Sequence, residues 1–574
     1  MTGAADPPIA ATSHSALDTA VAALQERKAA WTAVSPRERI ALLEELTRGF
    51  LAVADRWAAA CIQAEGLDPR LGNAEEVLVG PYFVIRNLRL LRLALADIAT
   101  HGRPRLPGSV RTRPDGQVTA RVFPYDLWDR IFYAGVTADV WMQPGVTAES
   151  LPSTQAVAYH VPRRDGGVAL VLGAGNVSSI GPMDALYKLF VEDQVVLYKA
   201  HPVNVYLGPL LEEGMKALVS RGFLKVVYGG AEEGAYLCRH PGVDEIHITG
   251  SDRTYEAIVF GPGEEGQRRK ERNAPLLSKR VTAELGNVSP VILVPGPAGV
   301  WSPADLRYHA ENILTMLVNN AGFNCNAARV VVQHAASPQR ADLLAGLRSL
   351  LRETPLRRAW YPGAADRWSR FAAAHPEAEL FGKKTGDLLP WTLIHSLDPQ
   401  SRDDICYTTE AFCGVFAETP IAAASVPEYL ERAVAFANET LWGTLNVTLI
   451  VHPASLRDPA VRQAVERAIA DLRYGTVSIN HWAATGYGLV ITPWGAFPGH
   501  PPHDIQSGTG IVHNTLMFDQ PQKTVVRAPF RVFPKPAWFA THKTAHRLTP
   551  KLLQFEANPS LLKLPGIFAL ALRG

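Results

Sequence analysis

Cys325 stands in the segment NNAGFNCNAARV, between a helical pattern and a strand pattern. Most lone cysteines in an apolar chain fill the core. Gly322, Asn324 and Asn326 make these surroundings untypical of a core position, and a cysteine outside the core is a source of thiolate chemistry. Three further segments stand out: TAELGNVSP with Glu284, TTEAFCGVF with Glu410 and Phe412, and ANETLWGTLNVTLIV over 437–451. Gly173-Ala174-Gly175 follows an apolar strand and hints at a nucleotide site. Ser178, however, stands where a GxGxxG fingerprint needs its third glycine, so a tight strand-to-helix turn accounts for the pair equally well. His500, His503 and Asp504 are spaced as metal ligands could be, but no further ligand is evident; a polar loop is expected there, and no metal.

The elements that must position these residues are legible from periodicity. Residues 16–100 read as helices, with Ser35, Pro36 and Glu38 forming a helix-start signal. QVTARVFP and AVAYHVP alternate as exposed antiparallel strands. From 167 to 290 strands and helices alternate: GVALVLG, QVVLYKA, LKVVYGG, DEIHITG and RVTAELG are strands, with helices over GPMDALYKLFVED and VYLGPLLEEGMKALVSRG. This pattern predicts an α/β unit with a largely parallel sheet, whose ligands bind at the C-terminal strand ends. A second alternation runs from 290 to 480 through PVILVPG, ARVVVQH, GTLNVTLIVH and GTVSIN. The charged stretch 261–280 reads as a solvated loop.

With 574 residues, the chain exceeds what one core serves, so two or more domains are expected. Apolar residues at 47% and a net charge of +2 are globular values that argue against a nucleic-acid binder. Five widely spaced cysteines fit neither a disulfide framework nor structural zinc. With no secretory signal and no membrane-length apolar run, a cytoplasmic protein is expected. After residue 530 seven Lys and Arg face a single acid, Glu556, among leucines and aromatics. That extension reads as a docked tail, with peripheral membrane contact as the alternative.

Taken together the segments resemble the aldehyde dehydrogenase superfamily, in the right order, over about residues 20–515. ITGS (248–251) resembles its FTGS turn, AELGNVSP its ELGGKSP strand, GFNC (322–325) its GQxC, EAFCGV (410–415) its ExFGPV, and ANETLWG its ANxTxYGL. Asn176 and Lys199 fall where the asparagine of PWNFP and the lysine of KPAE fall. The resemblance implies an α/β fold with a Rossmann-type cofactor domain, an α/β catalytic domain and a small β oligomerisation element. It assigns residues 16–139 and 166–286, with part of 480–510, to NAD(P) binding, 287–479 to catalysis, and 140–165 with about 511–530 to oligomerisation of a homodimer or homotetramer. It implies Cys325 as nucleophile, Glu284 as the base that hydrolyses a thioester, and Asn176 with the Cys325 backbone N–H as oxyanion donors. Lys199, Glu410, Phe412, Gly175, Gly250, Ser251 and Leu285 are implied for the cofactor, NAD or NADP.

There are departures. The PWNFP turn is GAGNVSS, and a GN pair in this place also occurs in fatty acyl-CoA reductases. Pro202 replaces the KPAE glutamate, which leaves NADP open, with His201 as a residue that would favour it. The expected function is NAD(P)-dependent oxidation of an aldehyde, of hydrophobic or fatty type, to a carboxylic acid. The alternatives are a CoA-acylating enzyme or acyl-CoA reductase, and a non-catalytic nucleotide-binding scaffold. Phe323, Trp482 and Trp494 are candidates to line a hydrophobic channel, or else core.

Overall fold

The computed structural model describes residues 9–160 and 165–574. Two sheets organise the chain. The smaller has five parallel strands in the order Leu224–Val227, Val195–Lys199, Val168–Leu172, Glu245–Gly250, Arg280–Leu285. Its first strand in sequence lies in the middle, so the chain winds outward in one direction and then in the other. Strand ends diverge at that reversal, which creates a crevice beyond Leu172 and Gly250.

The larger sheet has eleven strands. Its parallel heart contains Thr476–Ile479, Asn446–Val451, Ser289–Val294, Ala328–His334, Val415–Ile421 and Trp391–Ile394. Strand Pro521–Arg527 runs parallel to Thr476–Ile479 and antiparallel to Thr137–Met142, which brings Val118–Phe123 and Val110–Thr112 onto the same sheet. The strands of 110–139 therefore belong to the large sheet rather than to the cofactor unit expected for them. The chain passes from one sheet to the other in three residues, Gly286, Asn287 and Val288, between Arg280–Leu285 and Ser289–Val294.

The helical layer forms as its periodicity predicts. Ser35 and Glu38 make a reciprocal cap on helix Pro36–Glu65, whose Leu43, Leu46, Phe50 and Trp57 are fully buried. Helix Pro69–Val77 continues through a π-turn, Leu78–Tyr82, into helix Phe83–His101. Pro81 explains the widened turn: it lacks the N–H of a regular helix and its ring crowds the preceding carbonyl.

Several local expectations are corrected. AVAYHVP holds a helical turn, Val157–His160, and its last two residues lie outside the described ones. Tyr159 sets this turn, donating to the Phe190 carbonyl at 2.6 Å and accepting from Arg39 at 3.0 Å. Of the strands expected over 140–165, the described residues hold only the end of strand Thr137–Met142, which leads to a 3₁₀ turn at Leu151–Thr154. The helix over VYLGPLLEEGMKALVSRG breaks into Gly208–Gly214 and Lys216–Val219. The charged 261–280 stretch contains a helix, Gly263–Glu271, with Glu264 and Glu265 in its first turn and Arg268, Arg269 and Lys270 in its last. That order of charges complements the helix dipole, and Arg268 pairs with Glu265 at 2.8 Å.

The C-terminal extension is docked on the body. Helix Ala545–Ala557 packs on the Pro69–His101 run, and Glu556 is buried against Arg89 (2.7 Å) and Arg86 (3.3 Å). Ile567 and Leu570 of helix Leu564–Ala571 pack with Leu548 and Phe555. No helix among the described residues is long and apolar enough to cross a membrane.

Candidate active site

Cys325 sits on the loop between helix Pro303–Val318 and strand Ala328–His334, a loop the sequence bends sharply. Asn320 and Ala321 have φ of 51° each and Gly322 has 82°. Two successive side-chain-bearing residues in the left-handed region cost on the order of 1–3 kcal/mol each, so the surroundings must hold them. The Asn320 N–H donates to Glu75 (3.1 Å) and its side-chain amide to the Asn176 carbonyl (2.7 Å). A Cβ on Gly322 would lie 2.6 Å from the Cys413 carbonyl, so only glycine fits. Arg329 ties the two segments together, donating to the carbonyls of Gly322 (2.6 Å) and Cys413 (2.7 Å). The Cys325 carbonyl accepts from Ser289 (3.1 Å) and Asn446 (3.3 Å). Of the five cysteines, Cys325 alone is not fully buried.

Glu284 arrives from the other sheet, near the end of strand Arg280–Leu285. The Cys325 thiol donates to its Oε1 at 3.5 Å, and the Trp494 indole N–H donates to the same oxygen at 2.9 Å. Ser507-Gly508 closes the strand's outer side through a bridge between Glu284 and Gly508. Burial pushes Glu284 up to about 8, and burial together with the Glu284 and Glu410 carboxylates holds the Cys325 thiol well above its ordinary value. The resting pair is therefore a thiol beside a carboxyl group that titrates near neutrality, the range suited to proton exchange. Asn176 lies opposite. One of its amide N–H groups bonds the Phe323 carbonyl at 2.9 Å, leaving the second for another acceptor.

Two cavities meet at Cys325, Glu284 and Asn176. The larger, about 1120 Å³, opens from the crevice of the small sheet. Lys199, Gly250, Ser251, Leu285, Glu410 and Phe412 all line it. Lys199 bonds the Gly229 carbonyl at 2.6 Å, and Ser251 caps helix Asp252–Val259 by accepting from the Thr254 N–H at 3.2 Å. Glu410 accepts from the Asn287 N–H at 3.3 Å, and a Cβ on Gly286 would come within 2.0 Å of its carboxylate. Burial raises Glu410 to about 7. Gly175 is not part of the cleft wall: a Cβ there would meet the His201 ring at 2.4 Å, so it serves the fold of the turn. His201, buried beside Lys199, is pushed down to about 4.

The second cavity, about 400 Å³, is walled by Trp482, Trp494, Tyr487, Tyr82 and Phe83. Phe323 is not among its walls; it packs with Trp360, Tyr361 and Phe412. His500 is engaged with Thr444, beside strand Asn446–Val451, and Asp504 accepts from Gln506 within their own loop. Sequence reasoning missed Asn320, Glu75, Arg329 and Gly286. Gly286 lies within the AELGN segment and Asn320 and Arg329 within NNAGFNCNAARV, whereas Glu75 lies in no distinctive segment.

The aldehyde dehydrogenase family model matches residues 132–360. The chain is 27% identical over 192 residues to N-succinylglutamate 5-semialdehyde dehydrogenase of Sphingopyxis alaskensis, covering 33% of this chain and 36% of that one. It is 26% identical over 370 residues to 1-pyrroline-5-carboxylate dehydrogenase 1 of Halalkalibacterium halodurans, covering 61% and 64%. The chain thus spans from about a third to under two thirds of these curated relatives. Among solved structures, NADP-dependent glyceraldehyde-3-phosphate dehydrogenase from Bacillus halodurans, complexed with NADP, aligns with a TM-score of 0.60 at 18% identity over 91% of this chain and 92% of that one. A mutant of aldehyde dehydrogenase C from Pseudomonas syringae, complexed with NAD+ and octanal, aligns at 0.59 and 18%, over 91% and 90%. At such identities the likeness is one of fold. The chain is thus similar to aldehyde dehydrogenases, over residues 132–360 by the family model and over most of its length in fold.

Proposed function

We propose that this protein oxidises an apolar aldehyde to a carboxylic acid with NAD or NADP as hydride acceptor. The observation that carries the reading is the 3.5 Å approach of the Cys325 thiol to Glu284, at the point where a nucleotide-sized cleft meets an apolar cavity. The small-sheet unit holds the cofactor and the large-sheet unit supplies the thiol.

The cleft's donor set fits a dinucleotide. Lys199 and Glu410 suit ribose hydroxyls, and Gly250 with Ser251 presents a helix start to a pyrophosphate. When bound, the nicotinamide supplies the hydride acceptor. As the Cys325 sulfur bonds the aldehyde carbon, the thiol proton passes to Glu284 and the carbonyl becomes an alkoxide. The Cys325 backbone N–H and the free Asn176 N–H face that charge. Loss of hydride with its electron pair leaves a thioester on Cys325. Glu284 releases that proton to solvent and takes one from water; the resulting hydroxide adds to the thioester carbon, the C–S bond breaks to free the acid, and the proton on Glu284 returns to the Cys325 thiolate to restore the thiol. The Trp494 N–H orients the Glu284 carboxylate through both steps.

The apolar walls of the smaller cavity, where Arg357 neutralises Glu75, support an uncharged, hydrophobic substrate. Decanal with NAD or NADP, without CoA, is expected to give steady reduction of the cofactor. Cys325→Ala is expected to be inert, and Glu284→Gln to stop after about one equivalent per site. Strict dependence on added CoA would overturn the hydrolytic reading.

A further inference from the structure

The apolar cavity does not end at the catalytic part of the chain. Its outer half lies between the Pro69–Tyr82 helical run and the C-terminal extension, which contributes a continuous stretch from Ala537 to Lys543 and, from the following helix, Ala545, His546 and Leu552. This stretch lies well beyond the segment 132–360 that the family model matches. We propose that the extension is the specificity wall of the active site, and that Trp538 and Leu552 select aldehydes with a long apolar chain.

The wall is fixed at both ends. Toward Cys325, the Ala540 N–H donates to Thr315 at 3.0 Å and Thr541 donates to Glu311 at 2.8 Å, both on the helix that leads into the Cys325 loop. Lys535 pairs with the same Glu311 at 2.9 Å. Away from it, Thr549 donates to the Asn73 carbonyl at 2.6 Å, and Glu556 is locked between Arg86 and Arg89. The segment is thus braced against the helix that leads into the Cys325 loop and against the Pro69–His101 run, and Trp538, Leu552, Leu78 and Tyr82 all line the cavity.

The chemistry of the space follows from its charges. Besides Glu284, Glu75 is the carboxylate in its wall, and Arg357 neutralises it with two bonds of 2.7 Å. The remaining charged groups, Arg70 and Lys543, are exposed to solvent and therefore mark the mouth. An uncharged chain loses water along Trp538 and Leu552 methylene by methylene, so the wall favours long aldehydes over short ones.

This inference rests on the aldehyde reading, and its test separates the two. With the full chain, kcat/KM for decanal relative to butanal is expected to fall by about tenfold in Trp538→Ala and by about fivefold in Leu552→Ala, the fold-change expected from removing part of an apolar wall. Because decanoate binding needs no turnover, it is measured by calorimetry in Cys325→Ala with and without Trp538→Ala; at least fivefold weaker binding in the double variant is expected. If wild type oxidises no aldehyde but decanoate binding still depends on Trp538, the reaction assignment fails and the wall stands. An unchanged decanal-to-butanal ratio in both variants, with unchanged decanoate affinity, overturns the wall.

Discussion

Glu284 has two neighbours on one oxygen, an indole N–H and a thiol, and no cation to hold it ionised. Burial therefore sets its titration, at about 8 against 4.5 for the free side chain. A group raised in this way holds its proton below that value and acts as a base above it. Turnover limited by thioester hydrolysis should consequently rise with pH and level off above about 8, as measured by kcat from pH 6 to 9.5 under saturating aldehyde and cofactor. In Glu284→Asp the limb should shift, because the shorter side chain leaves the indole. A flat profile in the wild type would remove Glu284 from the hydrolytic step.

The Cys325 loop depends on partners that no local pattern reveals. Cys325 and Glu284 were legible because each lies in a short segment of distinctive residue order. Asn320 is held by Glu75, which lies 245 positions earlier in the sequence, and Glu75 in turn by Arg357 at a separation of 282. Neither separation leaves a trace in periodicity. The Gly263–Glu271 helix escaped for the opposite reason: it has no apolar stripe and owes its form to charge order alone. Phe323, a candidate for either channel or core, takes the core reading, because the left-handed turn before it aims the ring at Phe412. Glu75→Ala should strand the Arg357 charge in a buried site, a loss of about 3–5 kcal/mol, and release the Asn320 N–H. Chemical denaturation would show the stability loss. In whatever fraction remains folded, kcat should fall at least tenfold with Cys325 still present, whereas unaltered kcat would show that the loop keeps its shape without Glu75.

At the scale of the molecule, the C-terminal extension closes the structure around a charge cluster. Arg86 and Arg89 reach Asp129, Asp126 and Glu556, so three carboxylates from two distant parts of the chain share two guanidinium groups. Glu556→Ala should cost about 3 kcal/mol by removing the buried hydrogen bonds that Glu556 accepts from both Arg86 and Arg89. Melting temperature is the readout, expected to drop by several degrees, and the loss should be accompanied by easier proteolysis after residue 530. Full retention of both would mean that the helix Ala545–Ala557 is held by its apolar contacts alone.

The three-residue passage Gly286–Val288 links the molecule's two sheets within an arm's length of its chemistry. Glu284 is carried by one sheet and Cys325 by the other, so their 3.5 Å separation is also the gap of a pair of callipers whose jaws are the sheets themselves. A rotation of the small sheet relative to the large one would therefore open or close the gap between Glu284 and Cys325 directly.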